Sequence, residues 1–311
     1  MTAAGLGVSY VVPVYNKARY LPAVLAAIRA QRGDFARQYV FVDDGSTDDS
    51  LAVIRRLTAD WPATTIECQS NRGSANATNR GIALATQPFI KFVDADDLIA
   101  HDATRVLLEA LAPTDACLAY GACVRYAEDE PPDLAAPLPA SPAVERLGAP
   151  LKLALKNSLF NPTQCLARTA AVRAVGGCDE RIVWSQEYSL TLRLAQRWDF
   201  LRVKATVAYL PREVPGRLSN NPGRQLQRVT LACASFLRDH PETPAALQRF
   251  ACRRAAGRAW KFARRYLGAG HLSPWFRRDL ACRLGLIGDP PAFIEDCATV
   301  YEQTPPVLPA G

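Results

Sequence analysis

Through the first 125 residues, short apolar runs alternate with stretches of helical periodicity, and no other feature limits the fold so closely. The runs are Ser9–Val14, Tyr39–Asp43, Thr64–Gln69, Phe89–Val93 and Ala116–Tyr120. Between them lie helical patterns over Leu21–Ala30, Asp48–Asp60, Asn76–Ala85 and Ala103–Leu111. Strands joined by helices of this length imply crossover connections, hence an α/β fold with a doubly wound, mostly parallel sheet. Runs that are apolar on both sides fit a sheet covered on both faces. Ligands of such sheets sit beyond the carboxyl ends of the strands, so the residues that follow each strand carry the most information.

Those residues are largely acidic. Tyr15-Asn16 follows the first strand, Asp43-Asp44-Gly45-Ser46-Thr47-Asp48-Asp49 the second and Asp94-Ala95-Asp96-Asp97 the fourth. Gly45 suits a tight turn, and Ser46 with Asp49 three residues on has the form of a helix capping pair. Asp97 has the position of a helix start. Carboxylates gathered on one rim repel one another and need a cation or hydrogen-bond donors. A hard divalent cation with oxygen ligands meets that need and favours a phosphate-bearing partner.

Beyond residue 126 the pattern changes. Residues 127–150, rich in Pro, Ala and acids, predict a long mobile loop. Structure is expected again from Leu151 to Tyr209, helices from Gln225, and a frayed tail from Thr304. The expected division is a domain over 1–225 and a basic helical region over 226–311. The formal net charge is +7, and residues 247–285 hold ten basic side chains against the single acid Asp279. In a helix across that segment Arg254, Arg258, Lys261 and Arg265 form one stripe. Two readings of this helix, which spans Arg253 to Arg265, stand side by side: a solvated basic face on a packed helix, and docking to an anionic membrane surface.

The segments VVPVYNKARYLPAVLAAI, VFVDDGSTDDS, NRGSANATNRGIALA, FVDADD and VGGCDERIVWSQEYSLTLRLA, over about residues 6–212, resemble the family 2 glycosyltransferases in order and spacing. The resemblance implies the Rossmann-like GT-A fold, a nucleotide-diphospho-sugar donor, and Mg2+ or Mn2+. It places Pro13, Tyr15 and Asp44 at the nucleobase, with Asp43 beside them and Asn71, Arg72 and Gly73 in the adjoining loop. Asp94 would face the ribose or the metal, and Asp96 would ligate the metal. Inverting members carry an acidic pair at a helix start, and here the pair reads Gln186-Glu187. Glu187 is therefore the expected base, one methylene longer than the family's aspartate. A first-turn acid is also what the helix dipole favours, by roughly 0.3–1 kcal/mol. Asn161 and Trp184 fall where the family forms its acceptor pocket, and Arg212 and Arg217 where relatives close a loop over the diphosphate.

The expected activity is transfer of a sugar to a hydroxyl of a glycan or lipid-linked acceptor, in bacterial cell-surface polysaccharide synthesis. The alternatives are a non-catalytic nucleotide-sugar-binding scaffold and a sugar nucleotidyltransferase. The second lacks its usual Gly-rich phosphate loop after the first strand, and a dehydrogenase is disfavoured for want of Gly-x-Gly-x-x-Gly there. No recognised nucleic-acid-binding motif appears, so nucleic acid is not an expected partner. Nine cysteines, irregularly spaced, and three histidines argue against a disulfide framework or a zinc site. With neither a spanning apolar run nor a secretory signal in view, the expected location is cytoplasmic, peripheral on the inner face of the plasma membrane if the basic helix docks there.

Overall fold

The computed structural model describes residues 6–182, 186–212 and 222–303, the side chains of Gln186 and Pro222 excepted. Its first strand, β1 (Gly7–Val14), runs parallel to β2 (Ala36–Asp43) on one side and β4 (Phe89–Phe92) on the other. β3 (Thr64–Cys68) adds outside β2, also parallel. The helices between them are α1 (Leu21–Arg29), α2 (Ser50–Leu57) and α3 (Ser74–Leu84). The α1 helix turns Leu21, Val24, Leu25 and Ile28 into the core at helical spacing, each burial worth about 1.5–3 kcal/mol.

The other half of the sheet is mixed. After β5 (Leu98–Ile99) and α4 (Ala103–Leu111) come β6 (Leu118–Tyr126), β7 (Val144–Leu147), α5 (Leu151–Lys156) and β8 (Cys165–Arg168). The chain continues through α6 (Thr169–Ala174), α7 (Gln186–Arg197) and β9 (Phe200–Pro211). The resulting order is β3-β2-β1-β4-β8-β6-β9-β5, with β7 also on β9. β8 is antiparallel to both its neighbours, and β6 is parallel to β9.

Three expectations are corrected. The stretch 127–150 is not one mobile loop: β7 pairs with β9, the His101 N–H donates to the Leu134 carbonyl (2.9 Å), and Leu134 and Leu138 pack on the core. Ser46 does not cap α2, which starts four residues later; its hydroxyl accepts from the Asn16 N–H instead (3.0 Å). Nor does Asp97 open a helix. It is fully buried and accepts from the Thr163 hydroxyl (2.8 Å).

Two compact units are distinguished. The first comprises residues 1–150, 159–190 and 194–215 and holds the sheet; the second comprises 151–158, 191–193 and 216–311. The second contains α5, α8 (Pro222–Asp239), α9 (Ala245–Tyr266), α10 (Pro274–Arg283) and α11 (Pro290–Ala298). Residue 225, the expected domain limit, lies inside α8. No described helix is long and apolar enough to cross a membrane, and all nine cysteines are free thiols.

Candidate active site

Parallel register puts the ends of β1 and β2 side by side, Val14 opposite Asp43, while Val11 of β1 faces Phe92 at the end of β4. The loops that follow all leave from one rim. Asn16 takes a left-handed conformation (φ 53°), which Asn tolerates, and its Oδ1 accepts from the Thr47 N–H (2.8 Å). The Lys17 N–H donates to the Ser50 hydroxyl (2.8 Å) and the Ala18 N–H to Asp48 (3.0 Å). The first loop is thereby stitched to the second, and Tyr15 stands 46% exposed at the junction beside Pro13.

Asp43 and Asp44 are both buried, yet they differ in partners. Asp44 accepts from Gln69 Nε2 and the Arg72 N–H through Oδ1 (both 2.8 Å), and from the Gly73 N–H through Oδ2 (2.9 Å). It fixes the loop Asn71-Arg72-Gly73 that opens α3. Gly45 is required there: its φ is +71°, and a Cβ would lie 2.8 Å from the Asn71 nitrogen. Asp43 Oδ2 accepts from the Ser46 N–H (3.2 Å), whereas its Oδ1 is buried with no partner among the described residues. A buried acceptor without a donor is costly and rare, and at this rim it suits a ligand N–H or O–H.

Lys91, unmarked by the sequence reading, is fully buried in β4 beneath the Asp94–Asp97 loop. Its ammonium donates to the carbonyls of Thr163 and Phe92 (3.2 Å for the latter). Burial lowers its pKa to about 8, against the opposing pull of Cys165, Asp94 and Asp97. Thr163 completes the frame, donating to Asp97 and accepting from the Asp94 N–H (3.0 Å). A lysine inside the run Phe-Ile-Lys-Phe-Val is itself a signal, because a buried ammonium needs acceptors and anions around it. Lys17 was likewise missed. Its ammonium lies 2.7 Å from Asp96 Oδ2, and Asp96 is only 6% exposed.

Glu187 sits in the first turn of α7. The Asp179 N–H donates to the Ser189 hydroxyl (3.0 Å), and Tyr188, Ser189 and Leu190 are buried, so that turn is anchored. Burial pushes the Glu187 carboxyl up to about 7; its own backbone N–H opposes the rise and the charge of Asp94 adds to it. Cys165 feels Lys91, Asp94 and Glu187 together, and burial pushes its thiol up to about 12, leaving it inert. Asp94 and Glu187 thus share one electrostatic neighbourhood.

Asn161 has local work: its carbonyl accepts from the Gln164 N–H (3.0 Å) and its N–H donates to Gln164 Oε1 (2.9 Å), closing the 3-10 turn Pro162–Gln164. Arg212 is exposed, its N–H donating to the Tyr126 carbonyl (2.8 Å). Trp184, Arg217 and the Gln186 side chain lie outside the described residues.

The donor set suits a hard cation. Among the described residues no three or more Asp, Glu, His or Cys side chains form a cage that could hold a metal by themselves. Two carboxylates completed by phosphate oxygens and water are, however, how Mg2+ is usually held, and the Lys17 ammonium marks the Asp96 position as one that takes positive charge.

The sequence profile of "Glycosyl transferase family 2" matches residues 9–176, more than half of the chain. The chain belongs to that family. Within family 2 it is 31% identical over 124 residues to glycosyltransferase GlyG of Streptococcus pneumoniae, covering 40% of this chain and 41% of the relative. To the poly-beta-1,6-N-acetyl-D-glucosamine synthase of Staphylococcus aureus it is 26% identical over 103 residues, covering 33% and 25%. The chain thus spans well under half the length of these curated relatives. In three dimensions it is similar to S. aureus TarS 1-349 (TM-score 0.63, 16% identity, 96% of this chain and 90% of that one). It is also similar to the mannosyltransferase PcManGT of Pyrobaculum calidifontis, solved with GDP-Man and Mn2+ (0.55, 20%, 95% and 84%). The family 2 architecture, a mixed α/β GT-A fold with a helical C-terminal region, is therefore shared at low identity.

Proposed function

We propose that this chain transfers a sugar, with inversion, from a nucleotide-diphospho-sugar to a hydroxyl of a glycan or lipid-linked acceptor in bacterial surface polysaccharide synthesis. The observation that carries the reading is the pairing of Glu187, a carboxyl raised to about 7, with the Asp94–Asp97 loop in the same neighbourhood. A carboxylate poised near working pH is suited to take a proton from the acceptor hydroxyl. The structural neighbours solved with UDP-GlcNAc and with GDP-Man and Mn2+ support a nucleotide-sugar donor and a divalent ion.

In this reading Tyr15 and Pro13 lie against the nucleobase, Asp43 Oδ1 accepts a hydrogen bond from it, and Asp44 holds Asn71, Arg72 and Gly73 in place beside it. Asp96 and Asp94 would hold Mg2+ or Mn2+. When bound, that ion supplies Lewis-acid neutralisation of the leaving diphosphate. Thr163, itself held by Lys91, fixes Asp94 and Asp97 in their loop. Glu187 orients the acceptor hydroxyl and removes its proton as the new glycosidic bond forms and the bond to the diphosphate breaks. Asn161, Trp184, Arg212 and Arg217 remain candidates for the acceptor side and the covering loop. In this reading the protein works in the cytoplasm, and at the inner face of the plasma membrane where its basic helical region docks there.

A panel of nucleotide sugars tests the proposal by thermal shift and by nucleotide release, each with and without Mn2+ or Mg2+. A donor that raises the melting temperature only with metal, and releases nucleotide only when acceptor is added, supports it. A donor that binds and never releases nucleotide turns the reading to a nucleotide-sugar-binding scaffold.

A further inference from the structure

Within the second unit, α9 uses part of its basic stripe internally. Arg254 and Arg258 both donate to the Lys156 carbonyl (2.9 and 2.6 Å) and to Asn157 Oδ1 (3.1 Å each). The residues just after α9 are arranged differently. Trp275, Asp279 and Cys282 of α10 face inward. Leu280 and Leu284, one turn apart, stand on the other side, 43% and 63% exposed, with Leu272 before the helix at 84% and Leu286 after it at 71%.

This is not a frayed end. Ser273 caps α10 by accepting from the Phe276 N–H (3.3 Å). At the other end the Leu284 N–H donates to the Leu280 carbonyl (3.0 Å), the Leu286 N–H to the Ala281 carbonyl (2.8 Å), and Gly285 turns at φ +74°. In such a helix-ending motif the residue after the glycine ordinarily packs back on the helix, which hides its apolar side chain. Here Leu286 is instead held outward by an ordered backbone.

The outward leucines lie among cations. Arg277 of α10 is exposed, as is Arg283, and Arg278 lies over the Trp275 ring (4.9 Å). Asp279, the acid of this region, is paired with Arg283 (2.8 Å). The exposed Arg253, Lys261, Arg264 and Arg265 of α9 add to the surplus. Leucines that enter the acyl boundary, ringed by arginines that meet lipid phosphates, form the usual pattern of an interfacial segment. A second copy of this chain would bring the same positive charge against itself, which opposes pairing through this face.

We infer that residues 272–286 form a docking surface for an anionic lipid bilayer, with Leu272, Leu280, Leu284 and Leu286 inserted and Arg277 on lipid phosphates. The surface needs neither sugar donor nor metal, so its test is independent of the proposed reaction.

Co-sedimentation of the full chain with phosphatidylcholine vesicles, with and without phosphatidylglycerol, tests it. Wild type should pellet with the phosphatidylglycerol vesicles only, and added salt should weaken binding. The triple variant Leu280→Ser, Leu284→Ser, Leu286→Ser should lose more than about tenfold in apparent affinity, since each buried CH2 contributes to partition. Circular dichroism and thermal melting confirm that this variant folds, and Leu284→Ser alone should already weaken binding by a measurable factor. Arg277→Gln should weaken binding and flatten its salt dependence. Wild type left in the supernatant overturns the inference, as does unchanged binding of the leucine variants, which would assign lipid binding to α9. A dimer in sedimentation velocity that the leucine variants dissolve, with no pelleting on vesicles, overturns it in favour of a second copy.

Discussion

At the scale of single residues, Glu187 governs what can be measured. Glu187→Gln should cut turnover by about 10²–10⁴-fold, the usual worth of a carboxylate base, while donor KM stays nearly unchanged. In wild type, kcat/KM should rise with pH through about 7 as the carboxyl ionises. The sign for stability is opposite. A carboxyl whose pKa is raised on folding binds more protons in the folded state, so its contribution weakens as pH climbs from the ordinary carboxylate range to about 7. The melting temperature of Glu187→Gln should therefore gain on wild type across that interval, in a series of thermal melts, and keep a constant offset below it. Lys17 bears on the metal. In the proposed reading, its ion pair with Asp96 Oδ2 competes with Mg2+ or Mn2+ for that carboxylate. Lys17→Met should tighten Mn2+ binding, followed by electron paramagnetic resonance of the free ion without donor. Equal affinity in the two proteins would show that the pair does not compete with metal. Asp43, Asp44, Asp94 and Asp96 stand out in the sequence because each lies at the end of an apolar run, whereas Glu187 is singled out only by the family resemblance. Lys17 and Lys91 could not be assigned, since their acceptors lie 79 and 72 residues away.

At the scale of elements, the loops rather than the strands hold the uncertainty of a sequence reading. Strands β1, β2 and β4 were legible because each is a local apolar run ending in a turn or an acid. β7 was not, because Val144–Leu147 has a charged, half-exposed pattern and exists by pairing with β9 more than fifty residues later. The cap of α2 failed for a related reason: the Ser46 hydroxyl is taken by Asn16, 30 residues earlier, so a non-local partner outcompetes the local cap. Asp44 exerts its effect through such a loop. Asp44→Ala leaves the N–H groups of Arg72 and Gly73 without their acceptor, and Gln69 with Asn76 alone. The cost should be about 1–3 kcal/mol per group that stays buried. Urea unfolding should report that loss, and donor KM should rise with it, because the Asn71-Arg72-Gly73 loop proposed to adjoin the nucleotide is no longer fixed. A variant that loses stability with KM unchanged would separate this loop from donor binding.

At the scale of the whole molecule, linear order and spatial membership diverge. The helix α5 falls in the middle of the sequence of the sheet-bearing unit, yet Leu151–Ser158 belongs with the C-terminal helices. Its inward residues Leu151, Ala154 and Leu155 are buried, Lys152 lies over the Phe250 ring of α9 (5.6 Å), and its last carbonyl accepts from Arg254 and Arg258. A division read along the sequence cannot find this, since the partners are about a hundred residues apart and neither segment signals the other. The consequence is a prediction with opposite signs in two backgrounds. In the full chain, Leu151→Gln with Leu155→Gln should destabilise, each leucine being worth about 1.5–3 kcal/mol when buried. In a chain ended at Pro215 the same leucines lose their α9 partner and become exposed apolar surface. There the pair of substitutions should raise the soluble yield and lower binding of a hydrophobic dye. If the substitutions harm both chains alike, α5 does not depend on α9 for its packing.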